Sequence, residues 1–244
     1  MIDHHSHILP SLDDGARDPA ESVEMARLLA GAGFRQVFCT PHCIRGYYDT
    51  TPEAVREAVS DLQQALDREG IRLRLRPGME YYLDECFLDL KELQTLGESR
   101  LVLVEAPSQA LEEVVMQGIE KVLAAGLTPL VAHPERSEVF TPSASGRLSL
   151  PEGTLLQANL GSFTGFYGKQ VQRRAYDLLR AGRYAVLGSD AHDPTRLAGM
   201  LEAWQGKLLA NPALRLLAGF EGEGQKLQFT AISYQLSACC FAVD

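Results

Sequence analysis

One unit recurs along this chain and limits what it can fold into: an amphipathic helix, a glycine, an apolar run, then a residue able to bind a cation. Ala30-Gly31-Ala32-Gly33 leads into residues 34–40 and reaches His42; Glu69-Gly70 leads into 71–76 and reaches Glu80. Gly126 leads into 127–132 and reaches His133; Gly182 leads into 184–188 and reaches Asp190. Glycine just past a helix is the left-handed cap signal, and apolar runs rich in Val and Leu read as buried parallel strands. Residues 1–3, 101–104 and 154–158 bring the predicted strands to seven.

The intervening helices carry their own signals. Thr51-Pro52 is an N-cap followed by proline at the first helical position, and Val55, Val59, Leu62 and Leu66 then form one stripe. Ser108 starts a second helix with Leu111, Val115, Ile119 and Val122 on one face; Val171, Ala175 and Leu178 mark a third. Strands alternating with helices predict an α/β protein, either a barrel or a doubly wound sheet.

The cation-binding residues decide between them. Five of the six histidines sit in short clusters: His5-x-His7, Thr40-Pro41-His42, His133-Pro134-Glu135-Arg136 and Asp190-Ala191-His192. Asp14, Glu80 and Glu105 join them, so His5, His7, Asp14, His42, Glu80, Glu105, His133, Asp190 and His192 form the candidate ligand set. All except Asp14 lie at or just past the C-terminal end of a predicted strand. So many strand ends meeting at one place favours a barrel, whose active site lies at that face.

Nine nitrogen and oxygen donors are too many for one ion and suit a cluster. Three divalent ions against four carboxylates leave about two positive charges for hydroxide and phosphate oxygens, which points to phosphate-ester hydrolysis. Donors of this kind suit Mn, Fe or Zn, and the absence of thiolates from the set disfavours structural zinc. The formal charge of −9 argues against a nucleic-acid partner without arguing against phosphate substrates. Five cysteines with no C-x-x-C pair, no signal-type segment and no apolar run of membrane length lead us to expect a cytoplasmic protein without a membrane span.

At this point the motifs are recognisable. Ile2-Asp3-His4-His5-Ser6-His7-Ile8-Leu9-Pro10 with Leu12-Asp13-Asp14-Gly15-Ala16 resembles the opening of the PHP (polymerase and histidinol phosphatase) superfamily. Within it, Cys39-Thr40-Pro41-His42, Gly78-Met79-Glu80, His133-Pro134-Glu135-Arg136, Leu156–Ser162 and Gly188–His192 resemble, in order, the bacterial manganese-dependent protein-tyrosine phosphatases associated with capsule and exopolysaccharide synthesis. The likeness covers residues 1 to about 218. It implies a distorted seven-stranded TIM-like barrel holding three metals. Composition shows no break before about residue 220, so we read a single domain of residues 1–222 followed by a tail, 223–244, of unknown role.

In that family His5, His7, Glu80 and Asp190 would hold one ion, Glu80 bridging to a second held by Glu105 and His133, and Asp14, His42 and His192 a third. The implied substrate is phosphotyrosine on the tyrosine-rich tail of a bacterial tyrosine kinase, attacked by a hydroxide bridging the ions. Arg136 and His42 are the candidate catalytic residues. Arg136, Asn159, Phe166 and Arg196 are the candidate substrate contacts, with Tyr47 and Tyr48 as weaker ones. Another PHP phosphoesterase activity, on histidinol phosphate or a nucleotide, is the enzymatic alternative; a non-catalytic scaffold is the remaining one. The tail leaves a dimer arm or a packing segment open, so a homo-oligomer stays among the expectations.

Two departures stand out: His4 where an aliphatic residue is usual, and Ser11 where glycine is usual. Residues 137–153 read as a loop. A decoy lies in Cys39 to Arg45, which spells the C-x5-R of cysteine-dependent phosphatases but lacks glycine and contains Pro41, which removes a donor.

Overall fold

The computed structural model describes residues 1–107, 110–140 and 150–219. The expected tail, and most of the expected loop at 137–153, lie outside these residues. All strand pairs are parallel. One sheet has the order β1-β2-β4, from Ile2–Ser6, Gln36–Cys39 and Arg74–Pro77. A second has the order β3-β5-β6-β7-β8-β9, from His42–Cys43, Glu80–Tyr82, Leu101–Glu105, Thr128–Val131, Leu155–Asn159 and Tyr184–Gly188.

Each of the seven predicted runs therefore contains a strand, yet the ladders do not close into one seven-stranded ring. Two runs break near their C-terminal ends. Pro41 has no N–H to give and separates β2 from β3, while Pro77-Gly78 separates β4 from β5. The bends cost little pairing, because Gly78 N–H donates to Cys39 O (2.9 Å) and Glu80 N–H to Pro41 O (3.1 Å). Beyond them, β3 and β5 pair with His42 beside Glu80. At the far side, the bridge between Ser6 and Ala191 and the bond from His7 N–H to Ala191 O (2.9 Å) tie β1 to the residues after β9.

Helices α1 (Pro19–Gly31), α2 (Pro52–Arg68) and α3 (Glu112–Ala124) alternate with these strands. Thr51 caps α2, accepting from Ala54 N–H, and Val55, Val59, Leu62 and Leu66 are its buried face. On α3 the buried face is Val115, Ile119 and Val122. Leu111 is instead the N-cap residue and is 68% exposed, so it does not join that stripe. After Asn159 comes a short helix, α4 (Leu160–Thr164), ended by Gly165 at φ 84°. Asn159 builds it by accepting Gly161 N–H at 2.8 Å. Helices α5 (Lys169–Arg180), α6 (Pro194–Ala210) and α7 (Pro212–Leu217) complete the described chain. No described helix is long and apolar enough to cross a membrane.

Ser11 has φ 60°, a left-handed conformation that penalises any Cβ, which explains why glycine suits the position. Its Oγ recovers part of that penalty by donating to Arg17 O at 2.8 Å. Ser11→Gly is expected to raise stability by about 0.5–1 kcal/mol, read as a higher urea midpoint at unchanged m-value; a lower midpoint would refute the account.

Candidate metal centre

The β-strand ends bring all nine candidate ligands into one group. His5 lies in β1 and His7 just beyond it; Glu80 opens β5, Glu105 closes β6, and His133, Asp190 and His192 follow β7 and β9. Asp14 arrives on the loop after β1.

Glu80 is the hub. Its carboxylate is fully buried, with Oε2 at 3.1 Å from His5 Nε2, 3.3 Å from His7 Nε2 and 3.0 Å from His42 Nδ1. Its Oε1 lies 3.3 Å from His133 Nε2, which is in turn 3.7 Å from Glu105 Oε1. Asp190 Oδ1 is 3.4 Å from both His5 and His7 Nε2. On the open side Asp14 Oδ1 sits 3.6 Å from His42 Nε2 and 3.5 Å from His192 Nε2. Donor atoms fall into four groupings: His7, Asp14, His42 and His192; His5, His7 and Asp190; His5, Glu80 and His133; and His42, Glu80 and Glu105.

The tautomers show what this arrangement wants. His5 Nδ1 faces Gln157 Oε1 (3.2 Å), whose own amide nitrogen donates to Ala158 O, so His5 carries its proton on Nδ1. His7 Nδ1 faces the Asp13 carboxylate at 2.6 Å, and His192 Nδ1 faces Asp190 O at 2.9 Å. All three therefore present bare Nε2 lone pairs inward. Those of His5 and His7 face each other across 3.0 Å, and both oxygens of buried Glu80 lack a hydrogen-bond partner. Lone pairs converging on one another without protons are repulsive unless cations lie among them, so the residues fit a metal cluster.

Burial lowers His5, His7 and His42, but the carboxylates of Glu80, Asp190 and Asp13 outweigh it and hold all three above the usual imidazole range, the mark of an anionic field that favours cations. Burial, reinforced by the charge on Glu80, pushes the Glu105 carboxyl up to about 7. Burial, with help from Arg136, pulls His133 down to about 4, leaving it neutral with a free lone pair. Backbone strain concentrates here too: His133 and Asp190 have φ 29° and 53°, sparsely populated values held in place by the surrounding bonds.

A layer of supporting residues went unread in the sequence. Asp13 holds His7 and accepts His42 N–H (2.8 Å) and Gly15 N–H (2.9 Å). Gln157 orients His5. Asp3 accepts His5 N–H (3.2 Å) and Ser189 N–H (2.7 Å), stapling β1 to the end of β9. Glu135, fully buried, accepts from Tyr184 Oη (2.8 Å) and Asn159 N–H (3.1 Å). The sequence signal for most was only a polar residue one or two places from a ligand; their partners are distant in the chain. His4, as alternation required, turns away from the cluster and stacks on Phe38.

Candidate substrate residues separate. Arg136 Nη1 donates to Asp190 Oδ2 at 2.5 Å while its guanidinium covers the Tyr167 ring at 4.5 Å, leaving a third of the side chain exposed. Asn159 has no exposed surface; its amide donates to Asp190 Oδ2 (2.8 Å), as does Tyr167 Oη (3.2 Å). Three donors thus occupy one Asp190 oxygen and leave Oδ1 for the cluster, so Asn159 is placed to position Asp190 rather than to meet substrate. Phe166 is 47% exposed and stands edge-on to Tyr167. Arg196 pairs with Asp193 at its own helix start and makes no described contact with the cluster. Tyr48 stacks on His42, with Tyr47 edge-on to it and 76% exposed. The decoy dissolves: Cys39 is fully buried, burial pushes its thiol far above the usual range, and Arg45 pairs outward with Asp89.

A family profile described as "Capsular polysaccharide synthesis, CpsB/CapC" matches residues 1–206. The chain is 37% identical over 197 residues to tyrosine-protein phosphatase YwqE of Bacillus subtilis (strain 168), covering 79% of this chain and 78% of that one. It is 29% identical over 202 residues to tyrosine-protein phosphatase CpsB of Streptococcus pneumoniae, covering 79% and 83%. A crystal structure from work on YwqE and CpsB, called unique metal-dependent tyrosine phosphatases, superposes with a TM-score of 0.75 at 31% identity, over 89% of this chain and 91% of that one. A variant organophosphorus hydrolase from Deinococcus radiodurans, at TM-score 0.50 and 13% identity, shares the fold alone.

Proposed function

The chain belongs to the CpsB/CapC family of capsular polysaccharide synthesis proteins, and from that premise we propose that it is a metal-dependent protein-tyrosine phosphatase. The observation that carries the reading is the inward-facing set of bare imidazole and carboxylate lone pairs around Glu80. Three divalent ions, manganese first among them, match the ligand count. When bound, such ions supply a hydroxide at neutral pH and neutralise phosphoryl oxygens as charge develops. The two sheets are read as a distorted seven-stranded barrel of PHP type, split where the prolines interrupt it.

The chain's own residues do the rest. His5, His7, Glu80 and Asp190, then Glu80, Glu105 and His133, then Asp14, His42 and His192 would hold the ions. Arg136, freed from Asp190 by rotation, would clamp phosphate oxygens with its fork. Tyr48, Tyr47 and Phe166 flank the cluster on the His42 and Asp190 sides and offer ring faces and edges to a tyrosyl group. Arg196 remains a candidate for the peptide beyond the phosphotyrosine. The partner is a tyrosine-phosphorylated protein, of which a bacterial kinase tail is the proposed instance, in the cytoplasm.

The test is a panel at equal concentration: phosphotyrosyl peptide, phosphoseryl peptide and histidinol phosphate, each with manganese and with excess chelator. The reading expects phosphotyrosyl peptide to turn over fastest by at least about tenfold, 1.4 kcal/mol of discrimination, and chelator to abolish turnover. Faster histidinol phosphate hydrolysis, or chelator-resistant activity, would sink it.

A further inference from the structure

Away from the cluster, Arg72, Arg74 and Arg76 alternate in sequence with Leu73 and Leu75. The two leucines are buried in the core, at 2% and 5% exposure. The three arginines and Arg35, which precedes β2, line an open hollow of 830 Å³ beside β4, together with Gln63 and Asp67. Arg35, Arg72 and Arg74 are exposed and Arg76 half-buried.

The hollow gathers cations without their counter-charges. Among the described residues none of the four arginines forms an ion pair; Arg68, Arg100, Arg173, Arg183 and Arg215 lack one too, but these four share one hollow. Arg35 bonds only to backbone, at Phe34 O and Ala30 O. Four arginines against Asp67 leave a local formal charge of +3 on a chain whose total is −9. Like charges lining one hollow repel one another, and an anion relieves that repulsion.

The hollow is separate from the metal centre. Arg35 and Arg72 precede β2 and β4, whereas His42 and Glu80 follow the C-terminal ends of those strands. Arg74 opens β4, six residues before Glu80 and on the far side of the bend at Pro77-Gly78. A strand cannot add at this edge, because Gln63 already covers it: its Oε1 accepts Leu75 N–H (2.8 Å) and its amide donates to Leu73 O (3.2 Å). Recognition therefore falls to the guanidiniums.

We infer that this hollow binds a short acidic segment of a partner protein in extended form. Acidic side chains at every second position of an extended peptide recur at about 6.6–6.8 Å, the spacing of Arg74 and Arg76 along β4, while Arg72 and Arg35 precede their strands and add cations to the same hollow. A single phosphate would leave most of these guanidiniums without an anion. A long polyanion such as nucleic acid would run onto the acidic remainder of the surface, whereas a short segment stays within the basic stripe.

The experiment uses the full-length, metal-loaded protein and a labelled ten-residue peptide alternating Glu and Thr, followed by fluorescence anisotropy. Saturable binding is expected, lost in high salt and weakened about tenfold or more in the Arg72→Glu/Arg74→Glu double variant. Arg72→Gln/Arg74→Gln is expected to weaken binding as well, while its melting temperature and its turnover of a small phosphotyrosyl compound stay unchanged; this separates failure of the docking site from failure of the phosphatase reading. Equal binding by wild type and both variants overturns the inference. So does equal binding of a Gln-Thr peptide, tighter binding of a ten-nucleotide single strand, or no binding at millimolar peptide.

Discussion

Glu80→Gln is expected to empty the metal centre and lower kcat/KM for a phosphotyrosyl substrate by about three orders of magnitude, several kcal/mol of lost stabilisation. The substitution keeps the shape of the side chain and removes its charge. Four imidazoles point at this one carboxylate, so a neutral amide offers each shared ion one anionic oxygen fewer and places an N–H where a lone pair stood. Elemental analysis of the purified variant reads ion content directly. Circular dichroism with chelator present, for both proteins, separates lost ions from lost folding. A variant that retained full ion content and wild-type turnover would remove Glu80 from the centre of the account.

The second large effect is steric. A methyl group at Gly15 would lie 2.1 Å from His7 O and 2.5 Å from His7 Cβ, and backbone cannot swing aside as a flexible side chain does. Gly15→Ala must push the loop carrying Asp13 and Asp14 away from β1. The movement separates Asp13 from His7 Nδ1 and Asp14 from His42 and His192 together. A loss of about 2–3 kcal/mol in stability is expected, in line with forced overpacking, along with ion loss weighted to the site that uses Asp14. Gly31→Ala is the control: nothing lies within 4 Å of its added methyl, and at the end of α1 the change is expected to be neutral or slightly stabilising. Equal stability and ion content for both variants would refute the argument.

The convergence of these nine side chains was largely legible in the chain. Ligand-type residues stood after apolar runs because parallel strands deliver their C-terminal ends to one face, and both the runs and the residues that close them are local features. The helical stripe of α2, its Thr51 cap and the turning away of His4 were likewise local, set by periods of 3.6 and 2. Where the reading went astray, the deciding interaction was distant or stereochemical. Leu111 had the right spacing for α3, but the helix starts after it. The Asn159 amide donates to Asp190, thirty-one residues away, a partner that no local pattern indicates. The single ring of strands gave way to two sheets at Pro41 and Pro77-Gly78, where missing N–H groups and a glycine facing Leu96 bend the chain.

By itself the amino-acid order determined which donors are present and, for all but Asp14, which strand end carries each, because residue type and short-range periodicity are written in the chain. Only the tertiary structure decided which lone pairs face inward. That depends on Asp13 reaching His7, Gln157 reaching His5, and Arg136, Asn159 and Tyr167 together occupying one oxygen of Asp190. A histidine's tautomer and a carboxylate's aim are set by whatever its other atom bonds. Those partners, 6 to 152 residues away in sequence, meet only when the strands pack.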